Sequence, residues 1–210
     1  KKFAAELARG GLTIVSGLAL GVDAAGHEGA LAGGGKTIAI LARGLDDIYP
    51  KQNERLASKI LETGGTILSE YPPGTPPYPA RFLERNRIVS GLSLGVLVVE
   101  APERSGTLAT SRFAIEQNRE VFVIPGGINH PNFIGSNLLI KSGAALVTEP
   151  TDILQALGLW RETTTDKNAE LVSAGLDKNQ KIIYDALHKN NEPMHTDEIV
   201  ARSGLTDSHV

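Results

Sequence analysis

The sequence predicts an α/β protein: a Rossmann-like, doubly wound and mainly parallel sheet, followed by part of a winged-helix (helix-turn-helix) domain. Two patterns carry that prediction. Short apolar runs alternate with helix-like stretches from residue 12 to residue 157, and strand–helix–strand repetition implies parallel strands joined by right-handed crossovers. The runs are also continuous rather than alternating, which marks strands covered on both faces.

The elements follow in order, with glycine and proline as punctuation. A helix opens the chain over 2–9 (KFAAELAR). A doubly wound fold normally places a strand before such a helix; none is present, so an opening strand is read as missing and one sheet position as vacant. Strands are expected over 12–16, 37–41, 66–69, 95–100, 121–125 and 145–148. Between them lie helices over 23–31, 53–62, 81–90, 107–118 and 136–142, and a helix over 151–157 closes a domain set at 1–158. Residues 159–175 are polar, with three consecutive threonines, and read as a linker. A helix over 178–188 puts Ile182, Ile183, Ala186 and Leu187 on one face. Thr196 is expected to N-cap a helix running to Ser203, which Gly204 ends. Residues 205–210 begin a third helix, so a partial winged-helix domain is assigned to 176–210 without the full groove-reading helix.

Composition narrows the function. The chain has 210 residues, 41% of them apolar and 21% charged, enough to bury a core. No long apolar run points to a membrane span. With no Cys, a disulfide scaffold and thiolate metal sites are excluded; with no basic–apolar–small leader, the expected location is the cytoplasm. Net charge is -3, so any nucleic acid must be held by a local basic site rather than a basic whole. The five histidines show no ligand spacing, and neither a metal nor a cofactor is expected.

In an open parallel sheet, ligands bind beyond the carboxyl ends of the strands. The first such loop is Ser16-Gly17-Leu18-Ala19-Leu20-Gly21-Val22-Asp23. Its glycines either let a backbone pass close to a phosphate or simply permit tight strand-to-helix packing. The second runs from Arg43 through Asp46, Asp47 and Tyr49 to Lys51; its paired acids fit capping or solvated contacts better than a divalent cation. The third holds Pro72, Pro73, Pro76, Pro77 and Pro79, a stiff lead-in to Arg81-Phe82-Leu83-Glu84-Arg85-Asn86-Arg87. Arg81 and Arg85 share a helical face, with Arg87 to the side. Guanidinium groups, Asn86 and the rings of Phe82 and Tyr78 suit a single-stranded backbone with exposed bases. Acids such as Glu84 could instead neutralise the arginines as surface pairs. After the fourth strand, Ser105-Gly106-Thr107 opens a helix and offers free N–H groups to an anion, or Ser105 or Thr107 serves as N-cap. Pro125-Gly126-Gly127 follows the fifth.

Three motifs carry little. Gly33-Gly34-Gly35-Lys36-Thr37 lies between a helix and a following strand, the reverse of a P-loop. Ser16 and Ser105 lack a G-x-S-x-G elbow. Gly17 to Gly21 does not complete G-x-G-x-x-G.

Taken together, SGLALGVDAAGH, TIAILARGLDDIYPKQN, SEYPPGTPP with FLERNRIVSGLS, VLVVEAPERSGTLAT, VFVIPGG and GSNLLIKSGA resemble, in order, the DNA-processing protein A family (DprA/Smf) over residues 1–158. The resemblance implies a homodimer that performs no catalysis, binds single-stranded DNA and loads the RecA recombinase onto it, protecting incoming DNA in natural transformation. It implies DNA contacts at Ser16, Gly17, Gly21, Arg43, Lys51, Phe82, Arg85, Asn86, Arg87, Ser105, Gly106 and Thr107. On that basis, exchanging Arg85 and Arg87 for Glu is expected to abolish binding without unfolding. Two departures stand out. The family's opening strand and its Gly-Ser-Arg turn are absent, and Leu83 stands where proline is common. The alternative is a nucleotide-processing enzyme of the lysine-decarboxylase-like phosphoribohydrolases. That group follows its Pro-Gly-Gly with Gly-Thr and a catalytic Glu, whereas Ile128-Asn129-His130 follow here.

Overall fold

A computed structural model describes residues 1–159, 176–190 and 195–205. The chain divides into two compact units, Lys1–Trp160 and Arg161–Val210.

The first unit alternates helices and parallel strands as the sequence predicts. Its elements are α1 (Lys2–Arg9), β1 (Ile14–Ser16), α2 (Val22–Ala32), β2 (Thr37–Leu41), α3 (Glu54–Glu62), β3 (Thr66–Ser69) and α4 (Pro79–Gly91). Then come β4 (Gly95–Val98), α5 (Gly106–Glu116), β5 (Glu120–Val123), α6 (Ile134–Lys141), β6 (Ala145–Leu146) and α7 (Pro150–Ala156). Strand ends are shorter than the apolar runs: β4 stops at Val98, short of Glu100, and β6 holds only two residues. Helix α4 starts two residues earlier than expected, at Pro79, which sits in its first turn. Proline suits that position because its fixed φ is helical and its missing N–H has no intrahelical partner there.

The strands form two parallel three-stranded sheets, β1-β2-β3 and β4-β5-β6, rather than one continuous ladder. The Ile14 N–H donates to the Lys36 carbonyl, so Ile14 and Ser16 face β2. Alternate residues face opposite ways, which turns Val15 and the outer edge of β1 away from any ladder among the described residues. β4 is likewise an edge, its Val98 carbonyl accepting from Ile124 on the β5 side.

Three apolar clusters hold the unit together. Leu7 of α1 packs with Phe122, Val147, Ile153 and Leu154, with Ile14 and Leu97 against them, so this cluster draws on both sheets. Leu18, Ala39, Leu41, Ala57 and Ile60 join β2 to α3. Val98, Ala114, Val121 and Val123 join β4 and β5 to α5. The Gly33-Gly34-Gly35 turn serves the packing of α1 on α2: a Cβ at Gly33 would lie 2.3 Å from the Ala5 carbonyl oxygen. Helix α7 begins with a reciprocal capping box between Glu149 and Asp152.

In the second unit, α8 (Lys178–Asn190) and α9 (Thr196–Ser203) pack against each other. His195, not Thr196, is the N-cap of α9: its ring accepts the Asp197 N–H, and Thr196 is already helical. Gly204 ends α9 in the left-handed region, with φ 67°. Nearly all of the expected linker and of the expected third helix lies outside the described residues. Among the described residues no helix is long and apolar enough to cross a membrane.

Candidate nucleic-acid interface

The loop after β1 is fixed by one carboxylate. Asp23, in the first turn of α2, accepts the Ser16 hydroxyl at 2.7 Å and the N–H groups of Gly17 and Ala19, both at 3.1 Å. Between them Leu18 is fully buried at φ 59°, a backbone state that a leucine holds only when its surroundings impose it. The buried Asn53, just ahead of α3, supplies the other constraint. Its amide donates to the Leu18 and Ala19 carbonyls at 2.9 and 3.2 Å. Gly21 caps α2 at φ 86°, which favours glycine. The Gly17 amide is therefore spent on Asp23, and the outward-facing part of this loop is Leu20 and Gly21, both exposed.

Arg85 is the pivot. It is 4% exposed. Its Nη1 donates to the Gly17 carbonyl at 2.8 Å and also to the Ile40 carbonyl at the end of β2, while Nε donates to Asn86 Oδ1 at 3.2 Å. Burial pulls its pKa below the usual guanidinium value, and the nearby Asp23 offsets part of that. A Cβ on Gly17 would fall 2.4 Å from this guanidinium, so glycine is needed here for close approach. Arg81 and Arg85 therefore do not form a shared exposed face: Arg81 stacks 5.2 Å from the Tyr71 ring and donates to the Pro76 carbonyl.

The neighbours of Arg85 on α4 point elsewhere, as successive helical residues must. Asn86 reaches the Gly106 carbonyl at 3.5 Å, at the start of α5. Arg87 pairs with Glu70 beyond β3. The acid that neutralises an α4 arginine is thus Glu70, whereas Glu84 accepts the Tyr71 hydroxyl at 2.8 Å. Phe82 lies with its ring 5.9 Å from the Tyr49 ring, tilted at 58°, and the Arg85 guanidinium sits 6.0 Å from its centroid.

The loops after β2 and β3 are fastened together. Asp46 accepts the Gly74 N–H at 2.7 Å, and that bond holds its carboxyl below the usual range. Arg43 is paired with Asp47 at 3.0 Å and Asp46 at 4.0 Å. The two acids thus hold an arginine and a backbone amide of the next loop, and neither caps a helix. Lys51 is exposed and makes no ion pair among the described residues.

Ser105 is the N-cap of α5, but its hydroxyl makes no capping bond and is buried without a partner. Gly106 is exposed and packs beside Leu83 of α4. The Pro125-Gly126-Gly127 loop closes on Asn137, whose amide donates to the Gly126 carbonyl at 3.1 Å.

Gly17, Phe82, Arg85, Asn86 and Gly106 are thus joined through α4. Ser16 and Arg43 are engaged by acids within their own loops. The sequence places Asp23 and Tyr49 in these loops without assigning either a role, and gives no sign of Asn53; Asp23 and Asn53 organise the loop after β1, and Tyr49 meets Phe82. An aspartate two residues after a capping glycine was the available clue to the first. No sequence feature pairs Tyr49 with a ring 33 residues away. Among the described residues no cluster of His, Cys, Asp and Glu could hold a metal ion.

The sequence pattern of DNA recombination-mediator protein A matches residues 1–158. Protein Smf of Escherichia coli (strain K12) is 53% identical over 155 residues, which cover 74% of this chain and 41% of that one. The crystal structure of DNA processing protein A from Streptococcus pneumoniae is similar with a TM-score of 0.68 and 48% identity, covering 73% of this chain and 54% of that one. DNA processing protein A from Helicobacter pylori, whose structure addresses its single-stranded DNA binding mode, matches with a TM-score of 0.67 and 36% identity, covering 74% of this chain and 70% of that one. The chain spans less than half the length of the E. coli relative.

Proposed function

The chain belongs to the DNA recombination-mediator protein A family, and we propose that its first unit binds single-stranded DNA along the loops that follow the strands. The observation that carries this reading is the way α4 gathers those loops. From one helix, Arg85 grips the backbone after β1 and at the end of β2, Asn86 reaches the start of α5, and Phe82 presents a ring beside Tyr49. A rigid rim with aromatic faces and nearby cations suits unpaired bases on a charged backbone. The Helicobacter pylori relative supports the same ligand class.

Within this reading, the residues take two roles. Lys51, Arg87, Asn86, Phe82, Gly21 and the Ser105-Gly106-Thr107 turn are the contacts. A phosphate takes Arg87 from Glu70, and the first N–H groups of α5 donate to another. Ser16, Gly17, Arg43 and Arg85 hold the rim in shape. No chemical step is assigned to it.

We infer a further step, in which a homodimer in the cytoplasm delivers its strand to a RecA-type recombinase during uptake of DNA; the family's description as a recombination mediator supports the recombination part of it. Faster nucleation of RecA filaments when the protein is added tests that step, and an unchanged lag removes it.

Titration of a labelled single-stranded oligonucleotide against its duplex, across salt, tests the binding itself. Tighter single-strand binding is expected, with log K falling by about 0.7 per phosphate contact for each unit of log salt. Equal or stronger binding of the duplex overturns it.

A further inference from the structure

We propose that a single strand held at this rim continues along the outer face of α3, where Arg55 and Lys59 hold its phosphates. The inference rests on the single-strand reading above and extends it to a surface that the rim does not include.

Arg55 and Lys59 are four apart on α3, so they share one side of that helix about 6 Å apart along it, and Lys51 stands in the single 3-10 turn (Lys51–Asn53) that leads into α3. All three are exposed, and none makes an ion pair among the described residues. The opposite side of α3 carries Ala57 and Ile60 into the core, with Leu56 against them, so the basic side faces outward. Elsewhere in this unit several exposed cations are already matched: Lys1 with Glu28, Arg87 with Glu70, and Arg112 with Glu116.

The stripe is also anchored to the rim. Asn53 stands two residues from Lys51 and two from Arg55, and its buried amide holds the Leu18 and Ala19 carbonyls. A strand crossing the loop after β1 therefore meets Lys51 first and the side of α3 next. Glu62, exposed one turn beyond Lys59, ends the path with the wrong charge for phosphate.

The test compares a short single strand of about 5 nucleotides with a long one of about 30, on either side of the length that one groove occupies. The variant Arg55→Gln with Lys59→Gln is expected to bind the short strand as the unaltered protein does. On the long strand its salt slope should be shallower by roughly 1.4, the loss of two contacts. Glu62→Gln is the converse: tighter binding of the long strand only, through a change that removes no cation. Equal unfolding midpoints for all three proteins show that the fold is retained. An unchanged long-strand slope in the double variant overturns the path along α3 while leaving the rim intact. Equal losses on both lengths also overturn it, because the two residues then belong to the rim. Failure of the unaltered protein to bind either strand overturns the single-strand reading and this inference with it.

Discussion

The Arg85 guanidinium donates to the Gly17 carbonyl at 2.8 Å, joining residues 68 positions apart. The same nitrogen bonds the Ile40 carbonyl. One side chain on α4 thus closes the ends of β1 and β2, two strands that are also paired along their length. A buried cation in this position acts as a fastener: its charge is desolvated, and its hydrogen bonds satisfy carbonyls that would otherwise lack donors.

Arg85→Met is therefore expected to destabilise the first unit by about 3 kcal/mol, because two inward-facing carbonyls lose their donor. Arg85→Lys should fall between, since an ammonium keeps the charge but cannot reproduce the planar fork. Urea unfolding midpoints measure both. Loss of DNA binding in Arg85→Met with an unchanged midpoint would instead make Arg85 a direct ligand contact. The expectation that Arg85 and Arg87 can be exchanged together without unfolding is revised on the same ground: Arg87 is exposed, and Arg85 is 4% exposed.

His27 predicts a pH dependence. Its ring is fully buried on α2, with Nδ1 2.6 Å from Thr37 Oγ1. The Thr37 hydroxyl in turn donates to the Ile14 carbonyl at 2.6 Å, which leaves its oxygen to accept a proton from Nδ1. The neutral ring with its hydrogen on Nδ1 fits this arrangement. Burial, opposed by Asp23 and reinforced by Arg85, lowers its pKa from 6.5 to about 4. A depressed histidine pKa favours the folded state while the ring is neutral. Its contribution is present above pH 6.5 and is lost as pH falls from there toward 4. Stability should drop by about 2 kcal/mol between pH 7 and pH 5 through this group. Unfolding midpoints at the two pH values give the slope, and His27→Gln should flatten it. An equally steep slope in that variant would assign the loss to other groups.

These cases show what the sequence discloses and what it hides. The order of strands and helices is legible because the parallel strands are short apolar runs and most crossovers end in glycine, the α5-to-β5 turn with its left-handed Asn118 being the exception. Residues 37–41 match the buried β2 for that reason; residues 66–69 match β3 in position, but that strand alternates exposed and half-buried residues and is not covered on both faces as expected. The division into two sheets is not legible, because apolar runs show that a strand is covered without showing which edge is paired. The site is half legible. Glycine turns and the proline-led α4 mark the rim. Side-chain burial depends on contacts 45 to 68 residues apart, so Arg85 and Arg87 look alike in sequence and differ in the fold. Asn53 is unremarkable in its own segment and becomes structural only when Leu18 arrives beside it.

The rim's two kinds of contact separate by substitution. Tyr49 is 47% exposed and meets Phe82 at a tilt, which leaves part of its ring open to a base. Stacking does not depend on counterion release, whereas a phosphate contact does. Tyr49→Ala should weaken single-strand binding by about 1–3 kcal/mol with an unchanged salt slope. Lys51→Gln should instead lower the slope by about 0.7 and lose most of its effect at high salt. Anisotropy titrations at three or more salt concentrations distinguish them, because the two variants then differ in slope as well as in intercept. If Tyr49→Ala altered the slope as Lys51→Gln does, the ring would be acting by holding a cation in place. If neither substitution changed binding, the strand would not cross the Tyr49–Lys51 segment, and the contacts would have to lie on the α5 side of α4, around Asn86 and Gly106.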